Sequence, residues 1–135
     1  MLTEFEREVM EKLLAGDHPV LAALRDQLRA CEVRSRDLTG HGFLTDLHVD
    51  RSAPPVAVPG GRMHIGDVGA EIDEMMYGAG FILFVDGGYL DMLEGFSYEE
   101  PWPCEIARYV LRYERGRERD PGAITAPAAP NGAGD

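Results

Sequence analysis

The chain has 135 residues, 44% of them hydrophobic and 27% charged, which suits one folded domain with its own core and excludes a chain too polar to fold. Its formal charge of −11 disfavours phosphate backbones and anionic membrane surfaces, and no run of apolar residues approaches the roughly 18 that a membrane span needs. That charge is local: from Met63 to Ala107 there are ten carboxylates and no Lys or Arg, so one stretch holds −10 of the net −11.

Thr3 followed by Glu6 has the spacing of a capping box, in which hydroxyl and carboxylate satisfy the first backbone donors of a helix. Phe5, Val9, Met10, Leu13 and Leu14 then recur at helical spacing. Gly16 supplies a left-handed stop, and Asp17, with Pro19 in the first turn, restarts a second helix carrying Val20, Leu21, Leu24 and Leu28 on one side. Two short helices joined by a tight turn predict a helical hairpin whose apolar stripe needs a sheet or another helix to cover it.

After Ala30 the hydrophobic period changes from that of a helix to that of a strand. Val33 to Leu38 predicts a strand, Gly40-His41-Gly42 a turn, and Phe43, Thr45, Leu47 and Val49 a core-facing set alternating with Leu44, Asp46, His48 and Asp50. Ser52 to Gly61, with Pro54, Pro55, Pro59 and a glycine pair, predicts an exposed loop. Arg62 to Ile65 and Val68 to Ile72 are short strands interrupted by Gly66 and Gly69, where glycine implies a bulge or bend.

Phe81 to Val85 is an unbroken apolar run, Asp86-Gly87-Gly88 tolerates positive φ, and Tyr89 to Glu94 returns with polar residues interspersed, so a β-hairpin is predicted. The absence of any polar face on Phe81 to Val85 places that strand centrally and predicts cover on both sides. Gly95 to Pro103 reads as a loop dense in aromatic residues. Arg108 to Tyr113 alternates and predicts a final strand, with a helix through Ile106, Val110 and Tyr113 as the alternative. The domain therefore spans 1–114, and 115–135, rich in Gly, Ala and Pro, predicts a disordered tail.

Cys31 and Cys104 form no CxxC or Cys/His pattern and read as free, semi-buried thiols. With no basic region followed by an apolar run at Met1, a cytoplasmic location is expected. Twelve Arg against the single Lys12 fit a GC-rich bacterial genome, and their scatter implies no nucleic-acid groove.

Asp46, His48, His64 and Asp67 could assemble an Asp/His cluster across a sheet for a metal or a hydrolytic reaction, though polar residues alternating along half-exposed strands explain them equally well. His18 and His41 read as surface residues. Glu71, Asp91 and Glu94 are the carboxylates placed to act as an acid and base pair, but no His partner or nucleophile elbow accompanies them around Ser35, Ser52 or Ser97. Neither Gly60-Gly61 nor Gly87-Gly88 precedes a helix, so neither is a phosphate cradle. No cofactor is expected. Phe96, Tyr98 and Trp102 flank the Glu99-Glu100 pair, and aromatic anchors ringed by acid suit a surface that receives a basic protein. The plainer alternative has Phe96 and Trp102 capping the core while the glutamates are solvated.

The run GAGFILFVDGGYLDMLEGFSYEEPWP from Gly78 to Pro103, with TGHGFLT from Thr39 to Thr45 and GDVGAE from Gly66 to Glu71, resembles a group of small bacterial α+β proteins to which no activity is attached. The resemblance spans roughly Leu2 to Tyr113 and implies a single bacterial α+β domain, with no site residues to carry over. The expected architecture is α+β: an N-terminal helical hairpin on a mainly antiparallel, curved sheet of five to seven strands. The expected function is non-enzymatic binding of a basic protein, in the manner of an immunity protein or antitoxin, through Asp91, Glu94, Phe96, Tyr98, Glu99, Glu100 and Trp102. A metal-binding protein or hydrolase, and a homodimeric interaction module, are the alternatives.

Overall fold

In the computed structural model the described residues are 1–114, and the segment 115–135 lies outside them. Helix α1 spans Glu4–Leu13 and opens on the expected capping box: the Thr3 hydroxyl accepts from the Glu6 amide at 3.1 Å and the Glu6 carboxylate accepts from the Thr3 amide at 2.8 Å. Helix α2 spans Pro19–Arg29, and its N-cap is His18 rather than Asp17. The His18 Nδ1 accepts from the Val20 amide at 3.1 Å, and Pro19 takes the first helical position, where a missing N–H costs nothing. Between the helices Gly16 adopts φ +127°, and the Arg25 guanidinium donates to the Leu14 and Gly16 carbonyls, closing the hairpin.

Six strands follow: β1 Glu32–Leu38, β2 Gly42–His48, β3 Met63–Ile72, β4 Ala79–Asp86, β5 Tyr89–Ser97 and β6 Tyr109–Tyr113. All pair antiparallel in the order β1-β2-β5-β4-β3-β6, forming one open sheet. The two segments expected either side of Gly66 are one strand, β3, whose register against β4 shifts between Ile65 and Val68, as a bulge requires. The final segment is a strand, not a helix, and β5 continues into the predicted aromatic loop as far as Ser97. The proline-rich loop is not wholly exposed: Val56 is buried, and its amide donates to the Gly88 carbonyl at 2.8 Å.

Side-chain alternation gives the sheet two faces, and both helices lie on one. Phe43, Thr45 and Leu47 of β2, Ile65 of β3, Phe81, Leu83 and Val85 of β4 and Leu93 of β5 are buried. Phe5 of α1 meets Phe81 edge-on at 5.6 Å between ring centroids and Tyr109 at 4.8 Å. Gln27 of α2 ties its helix to the far end of the hairpin, donating to the Gly88 and Pro54 carbonyls while accepting from the Leu90 amide at 3.0 Å. Cys31 is half-buried at the end of α2, where burial pushes its thiol up to about 11; Cys104 is exposed rather than semi-buried.

Strand β4 is interior, as its apolar run demands, but among the described residues the cover predicted on both its sides is present on one. Ile82 and Phe84 point away from the helices and are only half-buried. The two helices, 10 and 11 residues long, pack chiefly on β3, β4 and β5, on that one face.

Candidate functional site: the uncovered sheet face

The register fixes which side chains share the face opposite the helices. Leu44 of β2, Glu94 of β5 and Ile82 of β4 are cross-strand partners in one row. Asp46, Met92, Phe84 and His64 form the next. Gly42, Phe96, Gly80, Gly69 and Arg112 form the third. Leu44, Ile82, Phe84, Met92 and Phe96 are all half-buried. Glu94 stands between Leu44 and Ile82, a half-buried carboxylate within an apolar surface, and it makes no ion pair among the described residues.

Glycine lets aromatic rings lie flat across the third row. A Cβ on Gly80 would stand 2.5 Å from Phe96 Cζ and 2.7 Å from Tyr98 Oη, so only glycine admits both rings. Phe96 and Tyr98 meet edge-on at 5.5 Å. Burial first, and then the Glu114 carboxylate, hold the Tyr98 hydroxyl above its ordinary pKa, with Arg112 opposing.

Of the seven residues expected in the partner surface, Glu94, Phe96 and Tyr98 share this face. Asp91 sits at the register shift of β5, where desolvation first, and then the Asp86 and Asp46 carboxylates, raise its pKa from the ordinary Asp value. Glu100 serves the backbone: its two carboxylate oxygens accept from the Met76 amide at 3.0 Å and the Tyr77 amide at 2.7 Å, joining the β3–β4 loop to the loop after β5. Trp102 turns to the opposite side, stacking edge-on against core residue Phe43 at 5.4 Å while its amide donates to Gly40. The capping role thus falls to Trp102, whereas Phe96 lies on the uncovered face.

Glu99 has φ +60°, the one left-handed non-glycine residue among those described. Beside it opens a hollow of about 380 Å³ lined by Tyr77, Tyr98 and Glu99. A neighbouring hollow of about 470 Å³ shares Tyr77 as a wall and is lined also by Glu71, Asp73, Met76 and Arg112. Tyr77 and Met76 are 59% and 80% exposed, unusual for such large side chains. Sequence spacing alone singles out neither; the signal is Met76 and Tyr77, two large apolar side chains shortly after the acidic Asp73-Glu74 pair in a short loop.

The Asp/His cluster does not assemble. Asp46 and His48 lie on β2 and His64 and Asp67 on β3, with β5 and β4 between them, so the pairs stand about 14 Å apart across three strand spacings. Instead His48 accepts from Arg34 at 2.8 Å, and His64 packs on Phe84 at 6.4 Å between ring centroids. Among the described residues no three His, Cys, Asp or Glu side chains gather as a metal site would require. Glu71 sits on β3 with Arg112 at 3.9 Å, on a different strand from Asp91 and Glu94.

Fold and face together define an α+β protein with a two-helix layer on one side of an open six-stranded antiparallel sheet and an apolar, carboxylate-bearing surface on the other. No family model, no curated protein and no solved structure matches the chain. Among the described residues no helix is long and apolar enough to cross a membrane.

Proposed function

We propose that this is a non-enzymatic binding protein whose uncovered sheet face docks a basic protein partner. One observation carries the reading: Glu94, which makes no ion pair among the described residues, stands at the centre of a face built from Leu44, Ile82, Phe84, Met92 and Phe96. A contiguous apolar surface on a small domain is a docking surface, and a half-desolvated carboxylate within it favours a partner that brings a cation. Asp46 and Asp91 extend the same charge along β2 and β5. A second copy of this chain meeting the face would set like carboxylates against each other, which disfavours self-association. An immunity or antitoxin role is one instance of such binding, since acidic steering accelerates capture of a basic toxin.

The test is capture from the native host by wild-type protein and by Glu94→Lys and Phe84→Ser variants, with low- and high-salt washes. The reading expects a basic protein held by wild type at low salt, released by high salt and lost from both variants. Equal capture by all three, or a monomer–dimer equilibrium in light scattering that Phe84→Ser abolishes, would replace it.

A further inference from the structure

We infer that the Tyr77–Tyr98–Glu99 hollow receives one basic side chain, an arginine guanidinium or lysine ammonium, of the partner. The inference rests on the docking reading and adds a second contact at the edge of that face. Two tyrosines and a glutamate line the hollow, a combination of aromatic and acidic side chains that favours an organic cation over an anion or a neutral group. None of the described residues that line it is basic. In the adjoining hollow, which shares Tyr77 as a wall, the chain's own Arg112 guanidinium stands 3.9 Å from Glu71.

The walls are held in place before any ligand arrives. Glu100 accepts both amides of the Met76-Tyr77 segment, and Tyr98 is braced by Phe96 above the Gly80 backbone. Tyr77 stays 59% exposed and Tyr98 39% exposed. Preorganised aromatic walls lose little conformational entropy on binding, so even a single-residue ligand registers as a measurable complex.

The probe is N-acetyl-arginine methylamide, titrated into the full chain while the ring signals of Tyr77 and Tyr98 are followed by NMR. N-acetyl-citrulline methylamide serves as the uncharged isostere and N-acetyl-lysine methylamide as the second cation. The expected result is saturable movement of both rings by the arginine and lysine probes and none by citrulline. Tyr77→Leu should abolish the Tyr98 response, and Glu99→Gln should weaken the affinity about two- to five-fold. Tyr77 is an exposed loop residue, and an unchanged amide spectrum elsewhere confirms that the variant is folded. An equal response to citrulline, no response to either cation, or full responses in both variants would overturn the inference. The two readings fail separately. If Tyr77→Leu and Glu99→Gln hold the captured partner as wild type does while Glu94→Lys loses it, the hollow is excluded and the docking face stands. If the arginine response is intact while Glu94→Lys captures normally, the reverse holds.

Discussion

Glu6 is only 4% exposed, yet it is a charged residue at the seam between α1 and the sheet. Burial alone would raise its pKa, but donors from Arg36, the Thr45 hydroxyl at 2.6 Å and the Thr3 amide together hold it below the ordinary carboxylate value. A depressed folded-state pKa contributes stability above the unfolded value and loses it as pH falls through the folded one. Wild type should therefore lose stability below about pH 4, and Glu6→Gln should show a shallower acid limb in urea titrations across that range. At neutral pH Glu6→Ala should cost about 2–3 kcal/mol, since the buried Thr45 hydroxyl loses its acceptor and Arg36, which is exposed, keeps only the Met1 carbonyl. Glu99 works the other way. Its left-handed backbone is strained for any side chain bearing a Cβ, so Glu99→Gly should stabilise the fold by about 0.5–1 kcal/mol while weakening arginine-probe binding. Thermal melts beside the NMR titration would show the opposed changes.

Elements defined by local chemistry were legible before the fold was known: the capping box of α1, the proline start of α2, the β4–β5 hairpin around Asp86-Gly87-Gly88, and the bulge announced by Gly66. Elements defined by distant partners were not. Nothing within Phe81 to Val85 distinguishes a strand covered on both sides from one covered on a single side, because that depends on how many helices the rest of the chain supplies. The sorting of the expected site was hidden for the same reason. Phe96 and Trp102 are near neighbours in sequence, yet a strand end and a left-handed residue send them to opposite faces. Gln27 also acts over distance, through one amide that serves two carbonyls and one N–H of the β4–β5 region. Gln27→Leu keeps the size and takes the acceptor from the buried Leu90 amide, while the Gly88 carbonyl keeps the Val56 amide, and should cost about 1–3 kcal/mol in chemical denaturation.

For the whole molecule, one-sided cover predicts a sharp asymmetry along a single strand. Phe81→Ala, at a fully buried position, should cost about 3–5 kcal/mol, whereas Phe84→Ser, three residues on and facing outward, should cost about 1 kcal/mol or less while removing partner capture. Denaturation midpoints for the two variants check this directly. The contact between the first helix and the last strand has a consequence of another kind. Tyr109 donates its hydroxyl to Glu8 and Tyr113 to the Lys12 carbonyl, and each pair is 101 residues apart. During synthesis α1 therefore emerges long before the strand that completes its seat, and the joining of β2 to β5 is likewise distant in the chain. The seat of α1 is therefore completed only once β6 has left the ribosome, so the helix layer closes over the sheet after all six strands have been made.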